Sequence, residues 1–481
     1  MTLEEQQDEQ VALGTKVSPA SKLAFPLLAV VQATLIFTIV MIGIPLPDIG
    51  REFGLQASDL LLVSTAYGLP FSGLLLFGGR LTDRFGGLKL FTLGLCVFGL
   101  ASAIAAFSTH FNMMVAMRFL QGVGAALTAP AAVAVLRTLF PDPIAFMRAM
   151  ATWGGVSVLG GGVGFLASGV VTTWVSWRWM FVVPVLIAII GLMAVKWVLP
   201  KEEHAQAVSH KIGLDPIGAL LATLGISIGS YGLIASGELG WSTPVVLVPV
   251  LVGLCLIVLF MAVERRVSDP LLPKGFIGEP NRIVGLVGIL LAAASMGLVT
   301  FLLSLFLQIQ QGWTPLETAG AFVPYTLTLL IMNQAASRIV GWLGPLKVTI
   351  SGLVVGAVGL SLLAGIHQEV TYVSGLLPGI VILTLGTSLM FSGSAVLSTM
   401  NVPQHQAGLA GGVMNTSMEL GPTFGLASLM AITGIASDVV GGYSLAFATA
   451  AGVYIAAALL AWLITRHRYQ ATPHTASEQS G

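Results

Sequence analysis

The stretch GGRLTDRFGG (78–87) sets Arg80, Asp83 and Arg84 close together between an apolar run at 60–79 and another at 89–109. Each run is about 20 residues long, the length a helix needs to cross a bilayer core. The stretch therefore reads as a short charged turn between two membrane-crossing helices. Extending this reading along the chain decides the fold.

The composition agrees. The 481 residues are 56% hydrophobic and only 9% charged, whereas an average soluble domain is roughly 25% charged. Mean hydropathy is +0.92. Backbone groups in lipid must satisfy one another, so the apolar runs are helices. Fourteen spans are predicted: 24–46, 60–79, 89–109, 112–135, 148–171, 179–199, 214–235, 244–263, 284–309, 318–340, 346–366, 374–399, 408–434 and 443–465. The fold class is an all-α polytopic membrane protein.

An even number of spans puts both termini on one side. Of the 21 Lys and Arg residues, 18 fall on that side, Arg51 and Arg178 fall on the other, and Arg118 lies within a span. The positive-inside rule makes the first side cytoplasmic. WVSWRWMF (174–181) fits an aromatic belt at the outer interface. The acidic start MTLEEQQDEQ lacks the regions of a signal peptide, so the first span is expected to direct insertion.

Two basic loops, 200–212 and 264–282, divide the spans as six, two and six. The expected parts are a tail (1–23), a six-helix bundle (24–199), a linker with two extra helices (200–283), a second six-helix bundle (284–465) and a tail (466–481). Two similar halves are a common plan for secondary transporters. One pair of spans can be compared directly. GGGVGFLASG (160–169) and ELGPTFGLAS (419–428) carry Gly160/Gly164 and Gly421/Gly425 at the spacing that lets helix backbones approach, with Pro422 beside the second pair.

Well inside these spans, away from their ends, charge is confined to two places. Arg118 opens the fourth span in RFLQGVGAAL (118–127), three residues before Gln121 on the same helix face. Glu419 is the acidic residue well inside a span. A charge in lipid is costly, so each should face protein or water and have a partner. Three roles are open for Glu419: binding and releasing a proton during transport, pairing with a cationic substrate, or a structural hydrogen bond to Asn415 one turn earlier. Arg118 is the intramembrane cation available to it. A structural tie to backbone carbonyls is the other reading of Arg118. No histidine of the seven lies within a span, and Cys96 and Cys255 read as buried thiols in apolar runs.

These motifs resemble a known family. Gly79, Leu81, Asp83, Arg84 and Gly86 match the loop signature of the major facilitator superfamily, at its usual place between spans two and three. Arg118, Gln121, Gly122 and Gly124 match its Arg-x-x-Gln-Gly-x-Gly element. LPDIGREFGL (46–55), FLQIQQGWTPLETAGAFVPY (306–325) and GLAGGVMNTSMELG (408–421) extend the likeness, which is to the fourteen-span drug:proton antiporter branch. The resemblance implies a fold of two six-helix bundles plus two linking helices, and efflux of amphipathic organic compounds in exchange for protons. It implies that Asp83, beside Arg84, meets the N-terminus of span thirteen near Gly408 and that Arg118 is linked to proton transfer. It also implies a bacterial cytoplasmic (inner) membrane location and a monomer.

The sequence departs from that branch in four places. The basic pair after the loop signature is replaced by Gly87 and Leu88, with Lys89 one place later. The first-span acid is replaced by Thr38, or Ile36 in a shifted alignment. The fifth-span Gly-Pro signature reads Gly164-Phe165, and a Gln-like position reads Glu419. A facilitator or importer of a nutrient or organic anion is therefore the alternative. A cavity is expected from the first and fourth spans of each half, lined by Gln32, Thr38, Met41, Gln121, Phe301, Gln308 and Ser392. No cofactor, metal or nucleic-acid site is expected, and neither a nucleotide loop nor a nucleophile constellation marks an enzyme. A sensor or scaffold is disfavoured by the shortness of the loops.

Overall fold

The computed structural model describes residues 19–198, 215–267, 275–402 apart from 277, and 407–469 apart from 437. The terminal tails and most of both basic loops lie outside these residues. The helices are α1 (Pro19–Val40), α2 (Leu46–Phe53), α3 (Ala57–Thr65), α4 (Gly68–Phe85), α5 (Gly87–Ala106), α6 (Phe111–Leu139), α7 (Pro143–Trp174) and α8 (Val182–Val198). Then come α9 (Pro216–Leu239), α10 (Pro244–Glu264), α11 (Pro280–Leu305), α12 (Pro315–Ala321), α13 (Val323–Leu343) and α14 (Pro345–Leu363). The last four are α15 (Leu377–Thr399), α16 (Ala407–Leu420), α17 (Leu426–Thr433) and α18 (Val439–Tyr469). Among the described residues there is no strand.

Twelve stretches among the described residues are helical, long and apolar enough to cross a membrane. The other two expected crossings are helical as well. One is α7, of which Leu159–Trp174 forms a shorter apolar helix. The other is α16 and α17, joined by a π-turn at Gly421–Gly425. Pro422 lacks the N–H that would close a regular turn there. A similar break divides the second span. Pro70 removes the hydrogen bond to Ala66, and α3 gives way to α4 at Ala66–Tyr67.

Glycine spacing explains how the helices pack within each six-helix group. A side chain at Gly160 would collide with the Ala33 carbonyl of α1, and one at Gly421 would stand 2.5 Å from the Leu290 oxygen of α11. Gly164 and Gly425 lie against Phe37 and Ala294 on the same two helices. The fifth span of each group thus closes on its first. A Cβ at Gly124 would meet the Phe98 nitrogen at 2.5 Å, and one at Gly386 would meet the backbone of Gly356, so third and fourth spans close similarly. Helix α10 has mean hydropathy 3.1 yet few buried residues, as expected of a face turned to lipid.

Contacts between the groups are made largely by side chains. At the end bearing Trp177, Phe165 of α7 stacks on Phe322 with centroids 4.6 Å apart. Nearby, Ser304 Oγ donates to the Gly43 carbonyl at 2.7 Å and Gln308 Nε2 to the Ile44 carbonyl at 2.8 Å. At the end bearing Asp83, Leu76 of α4 packs with Ala410 and Val413 of α16. Helix α9 touches both α4 and α17, so the first linking helix lies on the seam. The aromatic belt needs a correction: Trp174 and Trp179 are exposed, but Trp177 is buried. Its indole donates to Glu52 Oε2 at 2.7 Å.

Arg178 donates to the same oxygen of Glu52 at 2.8 Å. That hydrogen bond, helped by the Trp177 indole and the Arg178 charge, outweighs partial burial and holds the Glu52 carboxyl below its usual value. Its stabilisation is therefore present above the ordinary Glu range and lost as pH falls through the lowered value. In detergent, the wild type should lose more thermal stability on acidification than Glu52→Gln, by about 1 kcal/mol or less for so exposed a pair. A second comparison tests the glycine packing. A Cβ at Gly122 would collide with the Tyr67 carbonyl, whereas one at Gly79 meets nothing within 4 Å. Gly122→Ala should cost about 1–3 kcal/mol and Gly79→Ala should cost nothing by the same melt.

Candidate functional site

Arg118 on α6 is fully buried. Its Nη1 donates to the Thr38 carbonyl at 2.9 Å and to Gln121 Oε1 at 3.5 Å, and its Nε donates to the Val63 carbonyl at 3.5 Å. Thr38 lies in the last turn of α1 and Val63 in the last turn of α3. Carbonyls in a last turn have no helical partner and carry the negative end of the helix dipole. Two helix C-termini therefore hold this cation. Gln121 is fixed in turn, its Nε2 donating to Ser102 Oγ at 2.7 Å. The guanidinium lies over the Tyr67 ring, 5.2 Å from its centroid. Arg118 Nη2 is buried with no hydrogen-bond partner.

Glu419 is 4% exposed, at the end of α16 just before the π-turn. It borders a cavity of about 70 Å³ on the seam. Ile39, Val40 and Gly43 form one wall, Ser64, Tyr67 and Gly68 another, and Met296, Gly297, Thr300 and Phe301 a third. Pro422, Thr423 and Leu426 complete it. Both six-helix groups contribute, and Glu419 is the charged residue among its walls. A space of this size takes a few waters, whereas drug-sized ligands need hundreds of Å³.

Arg118 and Glu419 make no ion pair with each other, and no hydrogen bond joins Glu419 to Asn415 among the described residues. Of the seven expected cavity residues, Phe301 lines this one. Thr38 and Gln121 are buried around Arg118 instead, and Met41 is packed in the apolar core. Gln308 bonds across the seam nearer the Trp177 end, while Gln32 and Ser392 are half-buried on α1 and α15. Asp83 and Arg84 are exposed at the end of α4. The expected partner of Asp83 is preceded by residues 403–406, which lie outside the described residues. Sequence reading missed Tyr67 and Thr300. A tyrosine inside an apolar span is a usable signal, because its hydroxyl needs a partner.

The family model of the Major Facilitator Superfamily matches residues 27–218 and 200–426. The chain belongs to the Major Facilitator Superfamily. Among curated members, a puromycin resistance protein of Streptomyces alboniger is 33% identical over 479 residues, 95% of this chain and 92% of that protein. A cephamycin export protein of Amycolatopsis lactamdurans is 35% identical over 404 residues, 83% of this chain and 82% of that protein. A lincomycin resistance protein of Streptomyces lincolnensis is 29% identical, covering 93% of this chain and 92% of that protein. Among solved structures, the POT family transporter PepTSo aligns with a TM-score of 0.66 at 16% identity, over 94% of this chain and 99% of that one. The human organic anion transporter MFSD10 aligns at 0.60 and 16%, over 92% and 100%. Both show the shared facilitator fold.

Arg118→Gln leaves the Thr38 and Val63 carbonyls buried without a charged donor and should destabilise the protein by about 3 kcal/mol in a detergent melt. Arg118→Lys keeps the charge but not the planar fork, and should recover roughly half of that.

Proposed function

We propose that this membrane transporter exports amphipathic organic compounds of the antibiotic class in exchange for inward-moving protons, and that Glu419 carries the proton. The observation that carries the reading is the place of Glu419: a buried carboxyl on a cavity built by both halves. The names of the relatives, which concern resistance to puromycin and lincomycin and export of cephamycin, supply the substrate class.

Alternating access requires one end of the seam to part while the other holds. Parting the Trp177 end breaks the Phe165–Phe322 stack and the bonds of Ser304 and Gln308 to the Gly43 and Ile44 carbonyls. Each is worth about 1 kcal/mol. Parting the Asp83 end separates Leu76 from Ala410 and Val413. A charged Glu419 disfavours the packed seam, because the ion would sit in an apolar wall. A protonated Glu419, or one facing a cationic substrate in an opened cavity, removes that penalty. Proton and substrate thereby compete for one carboxyl, which is the requirement for exchange.

In this reading 24–199 and 284–465 are the moving halves and 200–283 holds the two linking helices. Asp83 and Arg84 act at the cytoplasmic gate, where α16 packs against α4. The distribution of Lys and Arg supports cytoplasmic termini in a bacterial inner membrane. The working unit is a monomer without a cofactor.

The test uses inside-out vesicles with an imposed pH gradient, challenged with puromycin, lincomycin and neutral amphipaths. Wild type should dissipate the gradient on substrate addition, and Glu419→Gln should lose at least tenfold of that response. Equal dissipation by both would move the proton site elsewhere. Downhill substrate movement with no proton movement would establish the facilitator alternative.

A further inference from the structure

Tyr67 neighbours both buried charges. It is on the cavity wall with Glu419, and the face of its ring carries the Arg118 guanidinium at 5.2 Å. Opposite charges in a low-dielectric interior attract strongly. Among the described residues, Arg118 Nη2 is buried without a partner and Glu419 makes no ion pair, yet the two do not join. The ring beside the guanidinium is held firmly. Its hydroxyl donates to the Leu35 carbonyl at 3.2 Å. The Phe71 ring packs edge-on at 5.7 Å. Its own carbonyl is pressed against Gly122, where any side chain would collide. The Pro70 break in the second span places it there.

We infer that Tyr67 is a positioning residue whose ring keeps the Arg118 guanidinium out of the cavity, so that protons and cationic substrate, rather than an internal ion pair, answer Glu419. The inference deepens the proposed function and rests on it for its transport consequence, though the insulation itself is a property of the fold.

No other described charge competes for the role. Helices α16 and α17 and their π-turn pack on α4, α9, α11, α15 and α18. Helix α4 carries Arg80, Asp83 and Arg84, all at its far end, and α11 carries Arg282 at its start. Arg282 is tied there to the Phe276 and Ser398 carbonyls. Helix α9 offers Tyr231, which is exposed, and Glu238 near its other end. Helix α18 offers Tyr443, near its start, and Tyr454, bonded to Ser295 and Leu291. Its other titratable residues, Arg466, His467, Arg468 and Tyr469, lie at its far end. Helix α15 carries no titratable group.

The test needs no transport. A hydrophobic carbodiimide reacts with a protonated carboxyl, so labelling of Glu419, read by peptide mass spectrometry, reports the pH range over which it holds its proton. Glu419→Gln gives the background. Wild type and Tyr67→Phe should share one pH profile, because both keep the ring. In Tyr67→Leu the guanidinium reaches the cavity, a nearby cation favours the carboxylate, and labelling should end about one pH unit lower, a tenfold change in proton affinity. In an Arg118→Gln background, Tyr67→Leu should produce no such shift. A Tyr67→Leu profile that keeps the wild-type pH dependence, at whatever amplitude, overturns the insulation. So does a Tyr67→Phe profile that matches Tyr67→Leu, since the hydroxyl would then be the active part. Vesicle proton flux read in parallel separates the two claims. Absent flux with a shifted labelling profile leaves the insulation standing and refutes the antiport reading alone.

Discussion

Everything around the cavity depends on how one buried cation is held. Arg118 has no carboxylate; the ends of α1 and α3, Gln121 and the Tyr67 ring share its charge. A guanidinium suits this arrangement because it is flat, weakly hydrated and spreads its donors over a fork. The cost of burial is met by aligned carbonyls that would otherwise be orphaned at helix ends. One side chain thus fixes the first span, the kinked second span and the fourth span against one another. The orientation of Tyr67, and with it a wall of the Glu419 cavity, follows.

The kind of contact then decides where the molecule can part. Inside each six-helix group, glycines bring backbone against backbone: Gly160 on Ala33, Gly124 on Phe98, Gly421 on Leu290, Gly386 on Gly356. Such contacts leave no side chain to reorient. Across the seam, glycines mostly meet side chains instead: Gly162 meets Thr326, Gly412 meets Leu76 and Gly68 meets Thr423, while Gly169 meets the Ala319 side chain and the Pro315 carbonyl. Side chains can turn or exchange partners at little cost. The seam is therefore the natural plane of rearrangement, and the small cavity on it is the space that would widen.

Much of this was legible in the sequence, for local reasons. Hydropathy gives the spans because lipid leaves the backbone no other choice. The pairs Gly160/Gly164 and Gly421/Gly425 announce close helix approach, and both make it. The depth of Glu419 follows from its position in an apolar run. The cavity wall was not legible, since it depends on how kinked helices turn their faces. Thr38 and Gln121 illustrate the limit: polarity within a span shows that a residue needs a partner, without showing which. Both found Arg118. Tyr67 escaped notice because its place is set by Pro70 and Gly122 together, one on its own span and one on the fourth.

The π-turn at Gly421–Gly425 ties the local chemistry of Glu419 to the motion of its helix. Pro422 leaves the backbone without one N–H, and the wider turn sits immediately after the carboxyl-bearing residue. The Thr423 hydroxyl bonds back to the Glu419 carbonyl at 3.0 Å, so a change of helical register at this joint displaces Glu419 itself. Helix α9 touches α17 just beyond the joint and α4 on the other side of the seam. One helix of a pair that looks like a linker thus packs against the joint that follows the buried carboxyl.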